Sequence, residues 1–253
     1  MVEKFLVPIP AFQQERQIRV YLPKSYGQGD ARYPVLYMHD GQNVFRDEDE
    51  IGGVSLGLEA YLDERAVDVI VVAVDQVPEQ RIDEYYAWKH GAFSEQILGF
   101  HDERGGKGGA YIDFIAEELK PLIDRKYRTL PERTGMAGIS SGASITVYAA
   151  CRYPHIFRRI AGFSIAYYRN QEDMERFVRE ADLSLLEKVY LDCGTNEGKG
   201  DEEAGLQFLN SNRAVANILQ EKVPHAEFRA VEGGEHQYSH FCKRAPEVLA
   251  TLL

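Results

Sequence analysis

The sequence lacks long apolar runs and has a deficit of basic residues. No segment reaches the ~18 consecutive apolar residues of a membrane-spanning helix. Lysine and arginine number 29 against 40 aspartates and glutamates, which gives a net charge of −11. This charge argues against a nucleic-acid partner and against an anionic membrane surface. We therefore predict a small-molecule substrate, with no nucleic acid and no membrane as partner, and leave a homo-oligomer open.

Cysteine is also scarce. The three cysteines are Cys151, Cys193 and Cys242, an odd number without the spacing of a metal site or a redox motif. Residues 1–12 contain Glu3 and two prolines, so they lack the uninterrupted apolar region of a signal peptide. These observations predict a cytoplasmic protein with reduced cysteines.

The apolar residues that are present predict strands in alternation with helices. The predicted strands are 4–9, 17–22, 35–38, 67–74, a strand ending at residue 139, 160–165, 189–193 and 228–231, and the predicted helices lie around residues 58–62, 112–123, 143–151, 215–219 and 245–253. The first two strands are predicted to form an antiparallel edge pair. Strands that alternate with helices predict a mostly parallel central sheet with helices on both faces. We predict a single α/β domain over residues 1–253.

The pentapeptide Gly138–Gly142 (GISSG) fits the pattern G-x-S-x-G. It lies where a predicted strand turns into a helix, so Ser140 would sit on a sharp turn with its hydroxyl exposed at the helix N-terminus. Glycine is needed at both ends because a Cβ there would collide with neighbouring backbone. Ser141 has Ile139 and Ala143 two residues away instead of glycines. Ser140 is therefore the predicted nucleophile, and the alternative is an ordinary Gly/Ser turn.

A serine nucleophile needs a base and an acid that orients the base. His236, in the loop after the last predicted strand, completes the chain order serine, acid, histidine and is the predicted base. Glu197 follows the preceding strand and is the predicted acid, with Asp201 as runner-up, whereas Asp192 lies inside that strand and is predicted to be structural. His240 is four residues after His236, but the glutamate of an HExxH motif is missing, which disfavours a zinc site. We predict no metal and no cofactor.

Two backbone N–H groups are expected to bind the oxyanion that forms during ester cleavage. The N–H of Ser141 is the first, because it directly follows the nucleophile. The N–H of Gln42, in the loop after the third strand, is the second, with Gly41 as the alternative. His39 begins this loop and is predicted to line the site.

Aromatic residues are predicted to form the substrate pocket. Tyr85 and Trp88 lie in the long irregular segment 76–109, and Tyr167 and Tyr168 follow the strand 160–165. Both segments are expected at the carboxyl edge of the sheet, where ligands bind. Flat apolar rings with polar tips suit an aryl or sugar group better than a lipid tail. The alternative is that these rings only pack the loops.

Several segments resemble the putative-esterase family of α/β-hydrolases, which groups esterase D-like, enterochelin esterase-like, and acetyl xylan and feruloyl esterases. The segments are 37–45, 117–124 with 127–129, 137–142 and 233–236, and they span nearly the whole chain. The family often has methionine where Ser141 stands and a second glycine where Ala143 stands. The resemblance implies an α/β-hydrolase fold, with the nucleophile in 137–142 and the histidine in 233–236.

These observations predict a carboxylesterase-type serine hydrolase that acts on short-chain acyl or small aryl or sugar esters through Ser140, His236 and Glu197. One alternative is an S-formylglutathione hydrolase-like thioesterase or an acyltransferase that uses the same triad. An alternative of another class is a non-catalytic binding protein with the hydrolase fold.

Overall fold

The computed structural model describes all 253 residues. Its strands are β1 (Val2–Ile9), β2 (Gln14–Tyr21), β3 (Tyr33–Met38), β4 (Ile70–Val74), β5 (Thr129–Ile139), β6 (Arg159–Phe163), β7 (Lys188–Gly194) and β8 (Ala226–Val231). Its α-helices are α1 (Leu58–Arg65), α2 (Arg81–Tyr85), α3 (Ala92–Leu98), α4 (Gly108–Asp113), α5 (Lys120–Lys126), α6 (Ser141–Arg152), α7 (Gln171–Glu180), α8 (Glu202–Lys222), α9 (Tyr238–Phe241) and α10 (Ala245–Ala250). None of these helices combines the length and the apolar composition needed to cross a bilayer.

All eight strands form one sheet in the order β1-β2-β4-β3-β5-β6-β7-β8. β1 pairs antiparallel with β2, and β2 pairs antiparallel with β4. Every other neighbouring pair is parallel. The predicted fold class, a mostly parallel sheet with an antiparallel edge pair, is confirmed.

Successive residues of the central strands pack on opposite faces of the sheet. Val35 and Tyr37 of β3 belong to a cluster of 43 buried residues, whereas Leu36 and Met38 belong to a second cluster of 20. Every residue of β3 and β4 is buried. Because both faces are covered, these strands are continuously apolar instead of alternating with polar residues.

Some predicted boundaries are wrong by a few residues. β4 begins at Ile70 instead of residue 67, and the closing helix ends at Ala250 instead of residue 253. β6 ends at Phe163 because Ser164 has a φ of +48°, which is incompatible with extended backbone. The segment 76–109, predicted to be irregular, contains α2 and α3.

The parallel pairing brings four loops to one edge of the sheet. The segments that follow β3, β5, β7 and β8 all leave the carboxyl ends of neighbouring parallel strands. Ligands of open α/β sheets bind in the crevice at this edge. The predicted oxyanion loop, nucleophile, acid and histidine lie on these four segments, in that order.

Candidate active site

Ser140 lies on a sharp turn between β5 and α6. Its backbone has a φ of 58° and a ψ of −120°, a conformation that residues with a side chain rarely adopt and that costs energy. A Cβ at Gly138 would overlap the carbonyl oxygen of Gly142, and a Cβ at Gly142 would lie 3.2 Å from the Cβ of His39. Glycine is therefore required at residue 138, whereas a side chain at residue 142 would need His39 and Asp40 to shift by a few tenths of an ångström.

His236 bridges the serine and the glutamate. Its Nε2 lies 2.9 Å from Oγ of Ser140, and its Nδ1 lies 2.6 Å from Oε2 of Glu197. An ionised carboxylate can only accept a hydrogen bond. With Nδ1–H donating to Glu197, Nε2 carries the lone pair that can accept the hydroxyl proton of Ser140.

Glu197 is almost completely enclosed, with 1% of its side chain exposed. Its Oε1 accepts a hydrogen bond from the backbone N–H of Gly194 at 2.8 Å and another from the hydroxyl of Ser164. Burial alone would raise the pKa of Glu197, but the hydrogen bonds that it accepts and the charge of a protonated His236 outweigh burial and leave the pKa below its usual value. The geometry therefore favours an ionised acid next to the imidazole.

The two other carboxylates considered from the sequence have structural partners. Asp201 caps the N-terminus of α8, where its Oδ1 accepts the N–H of Ala204 at 3.0 Å. Asp192 lies inside β7 and pairs with Arg244, whose Nε is 2.9 Å from Oδ2. The structure therefore brings Glu197, and not the runner-up, to the histidine.

The segments that follow β3 and β5 contain backbone N–H groups that have no acceptor within the chain. The N–H groups of Gln42 and Ser141 donate no hydrogen bond within the chain, and that of Gly41 is equally free. The side chain of Gln42 fixes its loop through two hydrogen bonds to the backbone of Gln76, at 2.7 and 3.0 Å. A Cβ at Gly41 would lie 2.9 Å from the backbone nitrogen of Asp75, so only glycine allows this loop to approach β4 so closely.

Two clefts flank the imidazole of His236. A polar cleft of about 260 Å³ contains Ser140 and His236 in its wall, together with Asp40, Asn43, Gln76, Arg81, Ile139, Tyr238 and Phe241. A more apolar cleft of about 230 Å³ reaches Glu197 and is lined by Ile97, Leu98, Tyr168, Gly198, Lys199, Ala204, Gln207 and Phe208. The ring of Phe208, in the wall of the apolar cleft, lies edge-on to the imidazole, with ring centroids 5.5 Å apart.

The family of this chain is decided by a match over almost its entire length. The family model described as "Putative esterase" matches residues 9–252. The chain belongs to this family. The predictions of family and of an esterase-type enzyme are thereby confirmed.

This esterase also resembles a curated protein and several solved structures. The uncharacterized protein YbbA of Bacillus subtilis (strain 168) is 27% identical over 238 residues, covering 90% of this chain and 89% of that protein. A structure named ferulic acid esterase has a TM-score of 0.72 at 17% identity, covering 100% of this chain and 97% of the other. The siderophore hydrolase EstA from Aspergillus nidulans has a TM-score of 0.76 at 17% identity, covering 99% of this chain and 94% of the other. At these identities the structures show the shared fold.

His39 and Tyr85 of this esterase lie beneath the site and do not line it. The prediction that these two residues contact the substrate is therefore wrong. His39 is buried, with Nδ1 3.0 Å from the hydroxyl of Tyr111, and burial lowers the pKa of His39 to about 4. Tyr85 is fully buried, and its hydroxyl accepts the N–H of Asp40 at 3.0 Å. Both residues support the oxyanion loop from its inner side.

Tyr167 is a core residue and Trp88, which is partly buried, packs against the core. Trp88 packs edge-on against Tyr148 and Phe177, with centroid distances of 5.4 and 5.5 Å. Tyr167 is fully buried. These rings fill the space between helices because large aromatic side chains bury much apolar area. Of the four predicted aromatic residues, Tyr168 alone lines a cleft next to the triad.

Sequence reasoning missed the residues that define the rest of the site. Ser164 and Arg244 hold the acid, Arg81 closes the polar cleft through a bidentate pair with Asp40 at 2.7 and 2.8 Å, and Phe208 packs against the histidine ring. None lies in a motif, since each reaches the site from a distant element. A strand-to-turn position such as Ser164 could have been flagged by its place at the carboxyl edge of the sheet.

Proposed function

We propose that this esterase is a serine hydrolase that cleaves carboxylic esters with short acyl or small aryl or sugar groups. The observation that carries the proposal is the hydrogen-bonded chain from Ser140 through His236 to Glu197, with distances of 2.9 and 2.6 Å. A serine, a base and an orienting acid in this geometry are the components of nucleophilic catalysis.

Each member of the proposed triad has a distinct role. Ser140 Oγ attacks the ester carbonyl while Nε2 of His236 takes its proton, and the N–H groups of Ser141 and Gln42 bind the oxyanion. Glu197 holds the imidazole tautomer and stabilises the imidazolium that forms. His236 then protonates the leaving alcohol, and water repeats the sequence on the acyl-enzyme.

The sizes of the two clefts support small substrates. At about 260 and 230 Å³, each is smaller than the ~300–1,000 Å³ typical of sites for drug-sized ligands. Tyr168 and Phe208 offer ring surfaces in the apolar cleft, which suits an aryl or sugar group. A structural relative named ferulic acid esterase is in keeping with an aryl substrate.

The test is hydrolysis of p-nitrophenyl acetate with and without a serine-directed phosphonate. We expect turnover that the phosphonate abolishes, whereas a non-catalytic binding protein would show no turnover in either sample. A panel of aryl, sugar and thiol esters, each with and without an acceptor alcohol, then separates an esterase from a thioesterase and from an acyltransferase. Faster turnover of thiol esters than of matched oxygen esters would contradict the proposed specificity.

We further propose a single cytoplasmic domain. The eight strands in one sheet support one domain, and three free cysteines support a reducing compartment. Cell fractionation with an antibody against the chain tests the location, and recovery in the secreted or membrane fraction would contradict it.

A further inference from the structure

Ser164 contacts the acid of the proposed triad from a neighbouring strand. It follows β6, is fully buried and has a φ of +48°. Its backbone N–H donates to the carbonyl oxygen of Asp192 at 2.8 Å, and its hydroxyl lies against Oε1 of Glu197. A non-glycine residue in this conformation costs backbone energy. The hydrogen bond from the N–H of Ser164 to Asp192 in β7 holds the serine hydroxyl next to the carboxylate of Glu197.

Arg244 determines the direction of the hydrogen bond between Ser164 and Glu197. Its Nη2 lies 3.0 Å from Oγ of Ser164, and a guanidinium can only donate. The serine oxygen therefore accepts from Arg244, and its single hydrogen is left for the carboxylate. The positive charge of the arginine thus acts on the acid through one polarised hydroxyl.

Arg244 is itself fixed by the buried carboxylate of Asp192. Its Nε and Nη2 lie 2.9 and 3.1 Å from the two carboxylate oxygens, and Asp192 has no exposed side-chain surface. Burial raises the pKa of Asp192 and the nearby charge of Glu197 adds to the rise, whereas Arg244 opposes it. Arg244 therefore opposes protonation of Asp192 directly and reaches Glu197 only through the hydroxyl of Ser164.

The same arginine also supports the base. Its Cζ lies 4.8 Å from the ring centroid of Phe241, and that ring meets the imidazole of His236 edge-on at 5.6 Å. The titratable groups around Glu197 are His236 from the loop after β8, Asp192 and Cys193 from β7, and Arg244 from the segment before α10. Arg244 is a permanent positive charge among them, and Arg213 from α8 is a second one, which acts on Cys193.

We infer that Ser164 and Arg244 are positioning residues that keep Glu197 ionised and aimed at the catalytic histidine. The inference rests on the proposed serine hydrolase function and adds to it a second layer of residues that act through the acid. Ser164 acts on the reaction through Glu197, and Arg244 acts through Ser164 and through Phe241.

The test compares Ser164→Ala with Ser164→Gly, both of which remove the hydroxyl. We expect each to lower kcat by about 10- to 100-fold, the range for a hydrogen bond to a charged group, with KM unchanged. The acidic limb of kcat/KM should move to higher pH, because Glu197 loses a hydrogen bond that stabilises its ionised form. Glycine adopts a positive φ freely, so a loss caused by backbone strain would be absent from Ser164→Gly.

Ser94→Ala is the matched control, since Ser94 is fully buried and its hydroxyl has no hydrogen-bond partner. We expect wild-type kcat and an unmoved pH profile from it, with folding of all variants checked by circular dichroism. Folded Ser164 variants with wild-type kcat, or with lower kcat and an unmoved acidic limb, would overturn the inference. If the wild-type chain hydrolyses no ester, or if Ser140→Ala stays active, the proposed function fails instead. If one of the two Ser164 variants does not fold, the kcat and pH profile of the other variant decide the test.

Discussion

The nucleophile and the acid of the proposed triad are held in place by different means. Ser140 is positioned by backbone, through a turn with φ of 58°, a Gly138 that leaves no room for a side chain and a Gly142 whose Cβ would lie 3.2 Å from its nearest neighbours. Glu197 is positioned by hydrogen bonds from Ser164, His236 and the N–H of Gly194. Adding one carbon atom is enough to disrupt a turn that is held by steric contacts. Removing one hydrogen-bond donor from the acid removes only part of the interactions that position it.

The difference predicts how substitutions around the two residues should behave. At the turn, effects should appear in folding and in catalysis together, because the same backbone packs the strand against the helix. Around the acid, effects should appear in kcat and its pH dependence while the fold persists.

The largest expected effect is at the nucleophile itself. Ser140→Ala should fold normally and lose at least about 10³-fold in kcat, because attack and proton transfer act as a unit. Ser141→Ala is the control and should retain most activity, since only its backbone N–H is proposed to act. Steady-state hydrolysis of p-nitrophenyl acetate measures kcat of both variants. Equal losses of kcat in the two would contradict the assignment of the nucleophile.

The next effect is at the acid. Glu197→Gln should lower kcat by about 10³- to 10⁴-fold with little change in KM, because an amide favours the wrong imidazole tautomer. Asp201→Asn is the control, since Asp201 caps α8 and does not contact the histidine. A severe loss in Asp201→Asn together with a mild one in Glu197→Gln would reverse the assignment.

A smaller effect, on stability, should follow from adding one carbon atom to the turn. Gly138→Ala should lower the free energy of unfolding by about 3 kcal/mol, the upper end for overpacking, because the new Cβ would overlap the backbone of Gly142. Gly27→Ala is the control, since a Cβ at Gly27 meets no atom within 4 Å, and should change stability by less than about 0.5 kcal/mol. Urea unfolding of both variants measures the difference, and equal stabilities would show that the turn tolerates a side chain.

The smallest effect is expected in the apolar cleft. Tyr168→Ala should raise KM for esters of aryl acids by about two- to tenfold, the value of one aromatic contact, and raise KM for p-nitrophenyl acetate less. Trp88→Ala should instead lower the melting temperature, because Trp88 packs against the core. Higher KM for aryl esters in Trp88→Ala and not in Tyr168→Ala would place the substrate elsewhere.

The way in which each residue is held also explains what the sequence could predict. The turn leaves a local pattern, because only glycine fits at residue 138 and little space remains at residue 142, and Ser140 could be predicted from five residues. Glu197 and His236 could be found from chain order, since the acid and the base follow successive strands of a parallel sheet. The alternation of apolar segments was sufficient for the fold class and the edge pair.

The remaining features depend on contacts between distant parts of the chain. Ser164 is 33 residues from the glutamate that it contacts, and Arg244 is 80 residues from Ser164. The aromatic residues illustrate the same limit, because a ring in a loop has the same local sequence whether it packs inward or lines a cleft. Tyr85, Trp88 and Tyr167 pack inward, and Tyr168 does not.

Covalent labelling tests the central claim most directly, namely that the strained turn presents Ser140 as the nucleophile. The active chain is treated with a fluorophosphonate, digested, and the modified peptide is sequenced by mass spectrometry. We predict one phosphonyl group on Ser140, retained in Ser141→Ala and lost in Ser140→Ala. A label on Ser141, or an active chain that takes up no label, would contradict the account.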